Sequence, residues 1–339
     1  MRRCEIGLGF QSDKEPGRYA ELARLAEAAG VDVISVFSDL MFQPPIAALL
    51  EIAAATSTTR IGAACWNPYS MHPYEIAGQL ACLDLASDGR AYLGLARGSW
   101  LGSVGIDQPR PVTTVREAAM AVRCLLDGEG RGYDGDVFRI APGTTLRFPV
   151  RRPHVPLLIG TWGPRMAAVA GEIADEVKVG GSANPDMVAV IRDRITVGAG
   201  RVGRSVDEVG VVLGAVSVVD DDGDAARAHA RTEVAMYLAV VAELDPTVEI
   251  PADLLDRVRS LVAAGDDAAA GRLVPDEVLD RFAFSGTPEQ VAEQVEAVVA
   301  AGASRVELGT PHGIDERRGV ELICERVMPL VGRGRSGGG

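Results

Sequence analysis

Short apolar runs alternate with helix-length amphipathic stretches along most of the chain, and that rhythm restricts the fold more than any other feature. The first unit runs from the strand-like Glu5-Ile6-Gly7-Leu8-Gly9-Phe10 through a polar turn at Pro16-Gly17. A helix follows with Tyr19, Leu22, Ala26 and Ala29 on one face and Gly30 at its end. The alternation goes on through Val33-Ile34-Ser35-Val36-Phe37, a helix over 45–55, Ile61-Gly62-Ala63-Ala64 and a helix over 74–86. The Asp88-Gly89 turn then leads into Ala91-Tyr92-Leu93-Gly94-Leu95-Ala96. After a helix over 115–126 comes a polar excursion, where Tyr133 to Phe138 reads as a small hairpin on an Asp-Gly turn. Leu157-Leu158-Ile159, Val177-Lys178-Val179, Val211 to Val219 and Arg305-Val306-Glu307-Leu308 supply strands five to eight. Strands alternating with helices make parallel βαβ units, and eight such strands close into an α/β (β/α)₈ TIM barrel. Apolar residues at 47% with aromatics at 5% fit this, since Ala, Val, Leu and Ile suit strands buried on both faces.

One interval breaks the rhythm. Strand seven ends near Val219, whereas the helix leading to strand eight starts at Pro288, which predicts a helical insertion after strand seven, over about 224–285. Insertions of this kind cap the active-site mouth of a barrel. Residues 1–332 read as one domain and 333–339 as a disordered tail.

The formal net charge of −13 argues against a nucleic-acid binder, because phosphate backbones are held by clustered Lys and Arg. A polyanionic cofactor would have to be gripped locally, by helix N-termini and backbone amides. The five cysteines are scattered without a C-x-x-C pair and read as reduced thiols of a cytosolic protein, with no zinc site. No His-Glu-x-x-His helix exists, so no metal is expected, and Gly7-Leu8-Gly9 lacks the later glycine of a dinucleotide fingerprint. No apolar run approaches the ~18 residues of a membrane span, and the N-terminus moves directly into a strand. A cytoplasmic protein without membrane contact is the expectation.

In such a barrel the residues after each strand build the active site. They include Ser38-Asp39, Cys65-Trp66-Asn67, Arg97-Gly98-Ser99, Thr161-Trp162-Gly163, Gly180-Gly181-Ser182 and Pro311-His312-Gly313. Three runs, Ser38-Asp39, Gly62-Ala63-Ala64-Cys65-Trp66-Asn67-Pro68-Tyr69-Ser70-Met71-His72-Pro73 and Gly94-Leu95-Ala96-Arg97-Gly98-Ser99, resemble the luciferase-like superfamily. The likeness is to its coenzyme F420-dependent oxidoreductases, and within them to the methylenetetrahydromethanopterin reductase branch.

That resemblance implies a non-proline cis peptide at Ala64-Cys65, forming a backstop behind the deazaflavin ring. It implies ring or polar contacts from Asp39 and Asn67, and backbone contacts from Arg97, Gly98 and Ser99. Gly160, Thr161, Trp162, Gly163 and Pro164 would take the cofactor phosphodiester at a helix start, which supplies the local anion grip. Trp162 is larger than the small residues common in that loop and suits the wall of a substrate space. The reaction implied is hydride transfer from the reduced deazaflavin to a C=N or C=C bond of a small molecule, pterin-like or a natural-product intermediate, by a homodimer. The sugar-phosphate dehydrogenases of the same family are disfavoured, because Leu40 and Ser99 stand where their His and Glu would be. Alternatives are an FMN-dependent monooxygenase and a non-catalytic flavin-binding relative. By topology His312 faces the mouth and is a candidate proton donor. Lys178, one of two lysines in the chain, reads either as a snorkelling strand residue or as a catalytic-site substrate anchor.

Overall fold

A computed structural model describes residues 3–331, so the tail expected at 333–339 lies outside the described residues. Eight strands, β1 (Glu5–Phe10), β2 (Val33–Val36), β3 (Arg60–Ala63), β4 (Leu93–Ala96), β5 (Leu157–Gly160), β6 (Glu176–Gly180), β7 (Gly210–Val219) and β8 (Arg305–His312), pair in parallel. Their hydrogen-bonded order is β3-β2-β1-β8-β7-β6-β5-β4, and isolated bridges Ile61–Ala91 and Trp66–Leu95 join β3 to β4 and bring the ring to closure.

Helices α1 (Arg18–Ala28), α2 (Pro45–Ala55), α3 (Pro73–Ala86), α4 (Pro111–Asp127), α5 (Pro164–Ile173) and α6 (Asp186–Arg201) follow the first six strands. Each buries an apolar stripe: in α1 it is Tyr19, Leu22, Ala23 and Ala26, the spacing of one helical face. Proline opens α2, α3, α4 and α5 where its missing N–H has no helical acceptor to lose. His72 caps α3, its Nδ1 accepting the Tyr74 amide at 3.1 Å.

Between β7 and β8 stand α7 (Gly223–Val241), α8 (Ala252–Ala263), α9 (Asp267–Gly271), α10 (Asp276–Phe282) and α11 (Pro288–Ala300), and α12 (Glu316–Leu322) follows β8. A Thr287/Gln290 capping box starts α11. Ahead of it lies a short strand that the residue pattern did not reveal, Ala283–Gly286, paired in parallel with Val216–Val219 at the end of β7. β7 is thus long enough to pair with β6 along its first half and with this strand along its second. The expected hairpin is present, but it pairs Tyr133–Asp134 with Arg139–Ile140 and needs a four-residue turn. The Glu117 carboxylate on α4 explains the wider turn, since it accepts the amides of Asp136, Val137 and Phe138 at 2.9, 2.7 and 3.1 Å. No helix among the described residues is long and apolar enough to cross a membrane.

Candidate active site

The barrel interior below the mouth is filled by polar side chains. Arg305 and Glu307 of β8 point inward and are fully buried, with Lys178 of β6, Ser35 of β2 and Tyr92, the residue just before β4, beside them. Lys178 and Glu307 form an ion pair. Ser35 Oγ donates to Glu307 Oε2 at 2.6 Å and lies 2.7 Å from the Tyr92 hydroxyl, which donates to the Gly62 carbonyl at 3.2 Å. One layer lower, Arg305 meets Glu176 at 3.3 Å and lies over the Tyr92 ring, 5.5 Å from its centre. Such large groups fit because facing positions are glycine: a Cβ on Gly62 would come within 2.6 Å of Tyr92, and one on Gly9 within 2.6 Å of Phe37. Burial alone would raise the Glu307 carboxyl, but the charges of Lys178 and Arg305 and the bonds from Lys178 and Ser35 bring it below the usual range. Glu307 is therefore a carboxylate matched to a cation.

Above this layer sits the mouth. Asp39 follows β2 two residues beyond Phe37, and burial raises its carboxyl above the usual range. The Gln11 amide and the Lys178 charge oppose that rise without cancelling it. Gln11 is itself buried, and its Oε1 has no hydrogen-bond partner. From α7, Tyr237 joins Asp39: burial first, then the Asp39 charge, raise its phenol. Its ring also meets Trp100 of the loop after β4, centroids 6.5 Å apart.

The Ala64–Cys65 peptide is cis. The Cys65 thiol is directed towards β5, where a Cβ on Gly160 would sit 3.1 Å from its Sγ. Burial pushes that thiol up to about 12, so at neutral pH it is an uncharged filler rather than a nucleophile. Asn67 Oδ1 accepts the Tyr69 and Ser70 amides at 3.1 and 2.9 Å and the Ser70 hydroxyl at 3.0 Å, which folds the loop after β3. The same side chain packs on Gly98, whose φ of 84° is a conformation that favours glycine. Arg97 and Ser99 are exposed; the Arg97 Nε donates to Gln108 at 2.9 Å, and Gln108 returns a bond to the Gly98 carbonyl at 3.0 Å.

After β5, Thr161 Oγ1 accepts the Gly163 amide at 3.0 Å, turning the chain into α5. Pro164 then opens that helix, and the Arg165 and Met166 amides have no acceptor within it. Trp162 Nε1 donates to the Gly180 carbonyl at 2.9 Å, so this ring lies across the ends of β5 and β6.

Two residues stand elsewhere than topology suggested. His312 lies within the strand: β8 shifts register after Gly309, passes the cis Thr310–Pro311 bond and seals the ring against Phe10, centroids 5.3 Å apart. It is fully buried, neither ring nitrogen has a hydrogen-bond partner, and burial followed by the Lys14 charge holds its pKa down to about 3. A neutral, enclosed imidazole has no acidic proton to deliver to the mouth. Lys178 is neither snorkelling nor in the mouth, but paired beneath it. Conversely, Glu307, Tyr92, Trp100 and Tyr237 carry no motif that singles them out in sequence. The alternation Arg305-Val306-Glu307-Leu308 was an available signal, because charged residues at every second position of a barrel strand point into the barrel.

A family model described as luciferase-like monooxygenase matches residues 5–305. The chain belongs to that family. The 5,10-methylenetetrahydromethanopterin reductase of Archaeoglobus fulgidus is 30% identical, over 96% of this chain and 99% of its own length. An F420-dependent glucose-6-phosphate dehydrogenase of Nocardia farcinica is 25% identical over 96% of this chain and 98% of its own. The solved structure of the coenzyme F420-dependent tetrahydromethanopterin reductase from Methanopyrus kandleri superposes with a TM-score of 0.88 at 27% identity, covering 97% of this chain and 99% of that one.

Proposed function

We propose that the chain is a coenzyme F420-dependent oxidoreductase that reduces a C=N or C=C bond of a small molecule, pterin-like or a natural-product intermediate. The observation that carries this reading is end-to-end similarity to two enzymes named as F420-dependent, a tetrahydromethanopterin reductase and a glucose-6-phosphate dehydrogenase, since what they share is the cofactor. The mouth suits such a group. Gln11 offers a buried oxygen without a partner beside Asp39, and a Cβ on Gly180 would meet nothing within 4 Å. Ala64 and Cys65 would back the ring, Asp39 and Asn67 would face its polar edge, and the backbone of Arg97, Gly98 and Ser99 would border it. The Gly160–Pro164 turn and the first amides of α5 would hold the phosphodiester. When bound and reduced, the deazaflavin supplies a hydride without engaging oxygen.

The protein's own work is placement. The loop folded by Asn67 and the neutral Cys65 thiol make one rigid wall, while Trp100, Trp162 and Tyr237 border the space left for the acceptor and limit water there. Asp39, raised by burial, is the group at the mouth suited to hold or pass a proton. His312 is not assigned that role, for the reasons of burial and charge given above. We extend the proposal to one domain over the barrel and its insertion, and to a cytoplasmic homodimer.

Cofactor titration is the test. Oxidised F420 should bind at micromolar concentration or below and FMN at least tenfold more weakly, with no oxygen uptake on reduction. Tighter FMN binding with oxygen consumption would instead make the chain a flavin monooxygenase. Cofactor binding without turnover on any acceptor would make it a non-catalytic relative.

A further inference from the structure

The insertion after β7 is tied across the barrel mouth by contacts that the proposed reaction does not use. In the ring of strands β7 stands three places from β4, yet Tyr237 of α7 meets Trp100 of the loop after β4. The C-terminal end of α7 therefore lies over the mouth. One helical turn past Tyr237 and on the same face, Val241 packs on the loop after β6, where a Cβ on Gly181 would sit 3.7 Å from its Cγ2. Beyond the turn Ala242–Leu244 the chain is fastened by one side chain of that loop. Asn184, fully buried, donates from Nδ2 to Asp245 Oδ2 at 2.8 Å and to Thr247 Oγ1 at 2.6 Å. Its Oδ1 accepts the Asp186 amide at 3.1 Å and the Arg281 guanidinium of α10 at 2.6 Å. We infer that Asn184 is a positioning residue: it fixes the angle at which α7 crosses the mouth and so sets how Tyr237 stands against Trp100 at the border of the acceptor space.

Apolar packing by itself would leave that angle open. The inner residues of α7, Ala226, Ala230, Val234 and Leu238, share an apolar cluster with Val216 and Val218 of β7, and burial of this kind is non-directional. Hydrogen bonds are directional, and here the set is complete. Both donors and both lone pairs of the Asn184 amide are used, and Asp245, itself buried, also accepts the Thr247 amide at 2.9 Å and hydroxyl at 2.7 Å. The base of the clasp is fixed as well. The amides of Gly181 and Ser182 donate to the Gly214 carbonyl of β7 at 2.6 and 3.1 Å, and the Ala183 amide donates to the Arg281 carbonyl at 3.0 Å. An apolar side chain in place of Asn184 would fill the same space but leave one buried oxygen of Asp245 unmatched. The consequence for the acceptor rests on the proposed role of Trp100 and Tyr237 at the mouth, but the test does not.

The experiment is ¹⁹F NMR of the cofactor-free protein labelled with fluorotryptophan, in which the Trp100 signal is assigned by its loss in Trp100→Phe. Tyr237→Leu defines where that signal moves when the ring contact is lost. Asn184→Asp, which sets a second carboxylate against Asp245, should move the Trp100 signal towards the same position and leave that of Trp66, buried in the barrel, in place. Adding Asp245→Asn exchanges the two groups and should return Trp100 to its wild-type position. Should Asn184→Asp fail to fold, Asn184→Ala breaks the clasp without adding a charge and should give the same move. A Trp100 signal that stays at the wild-type position in the folded single variant overturns the inference, as does a move that the exchange fails to reverse. Since no cofactor is present, a failure of F420 to bind in the separate titration would sink the proposed function and leave this coupling standing, and the reverse also holds.

Discussion

The Glu27 carboxylate on α1 shows how much one side chain can hold together. It accepts the amides of Ser57, Thr58 and Thr59 at 2.9, 2.7 and 2.9 Å and the hydroxyls of Thr58 and Thr59 at 3.0 and 3.1 Å. In this way it fixes the turn that feeds β3. Burial would raise this carboxyl, but the three amides overcome it and hold the pKa down from 4.5 to about 2. A folded-state pKa below the unfolded one means stability that is complete above about pH 4.5 and is lost as the pH falls through about 2. Glu27→Gln should therefore cost about 1–3 kcal/mol at neutral pH, the worth of charge-assisted bonds lost and amides left short. Urea unfolding across a pH series should show the gap between wild type and variant narrowing below pH 4.5. A gap independent of pH would mean that the ionised form has no special part in holding the turn. Residues of this kind are hard to see in advance, because a helical Glu facing a Ser57-Thr58-Thr59 run is indistinguishable from a solvated one until the turn is placed. His312 teaches the converse: its position after a strand was legible, but its burial depended on a register shift that no local pattern announces.

At the scale of elements, the start of α5 offers a direct test of where an anion is gripped. Gly163 has open space around it: a Cβ at this position would have Thr161 Oγ1 as its nearest neighbour, 3.9 Å away, so a side chain there needs no rearrangement of the turn. Gly163→Asp places a carboxylate at the N-terminal end of the helix dipole and competes for the same amides that a phosphodiester would use. Binding of intact F420 should fall at least tenfold, while a phosphate-free deazaflavin should bind as it does to wild type. Equal losses for both would move the phosphate site elsewhere. The eight barrel strands and the helices between them were legible because short apolar runs, buried on both faces, alternate cleanly with stretches of period near 3.6. The strand Ala283–Gly286 was not, since four residues ahead of a Thr-Pro helix start carry too little pattern to separate strand from loop. The width of the 133–140 hairpin likewise depended on Glu117, a residue on another element. For the mouth, the turn residues Asn67, Gly98 and Thr161 were found by their place after strands, whereas Tyr237 arrives from α7, whose docking the local pattern leaves undetermined.

For the molecule as a whole, the formal net charge of −13 and a polyanionic cofactor pose a kinetic problem that local contacts do not remove. A grip made of amides and a helix dipole acts within one helical turn, whereas the net charge acts over the Debye length, about 30 Å at 0.01 M salt and about 8 Å at 0.15 M. At low ionic strength the approaching anion is repelled long before it reaches α5. Adding salt shortens the reach of that repulsion more than it weakens a bond made at contact. The association rate of F420, followed by stopped-flow fluorescence, should therefore rise between low and physiological salt, while the dissociation rate changes much less. Most charged-ligand systems steer by attraction and show the opposite slope. An association rate that falls with salt would mean that cations on the loops after the strands, such as Arg97 and Arg165, outweigh the global charge and create a local funnel. In that case neutralising Arg165, exposed at the start of α5, should flatten the dependence. A rising rate instead places the burden of recognition on contact geometry, in keeping with a site built from turns and helix ends on an acidic barrel.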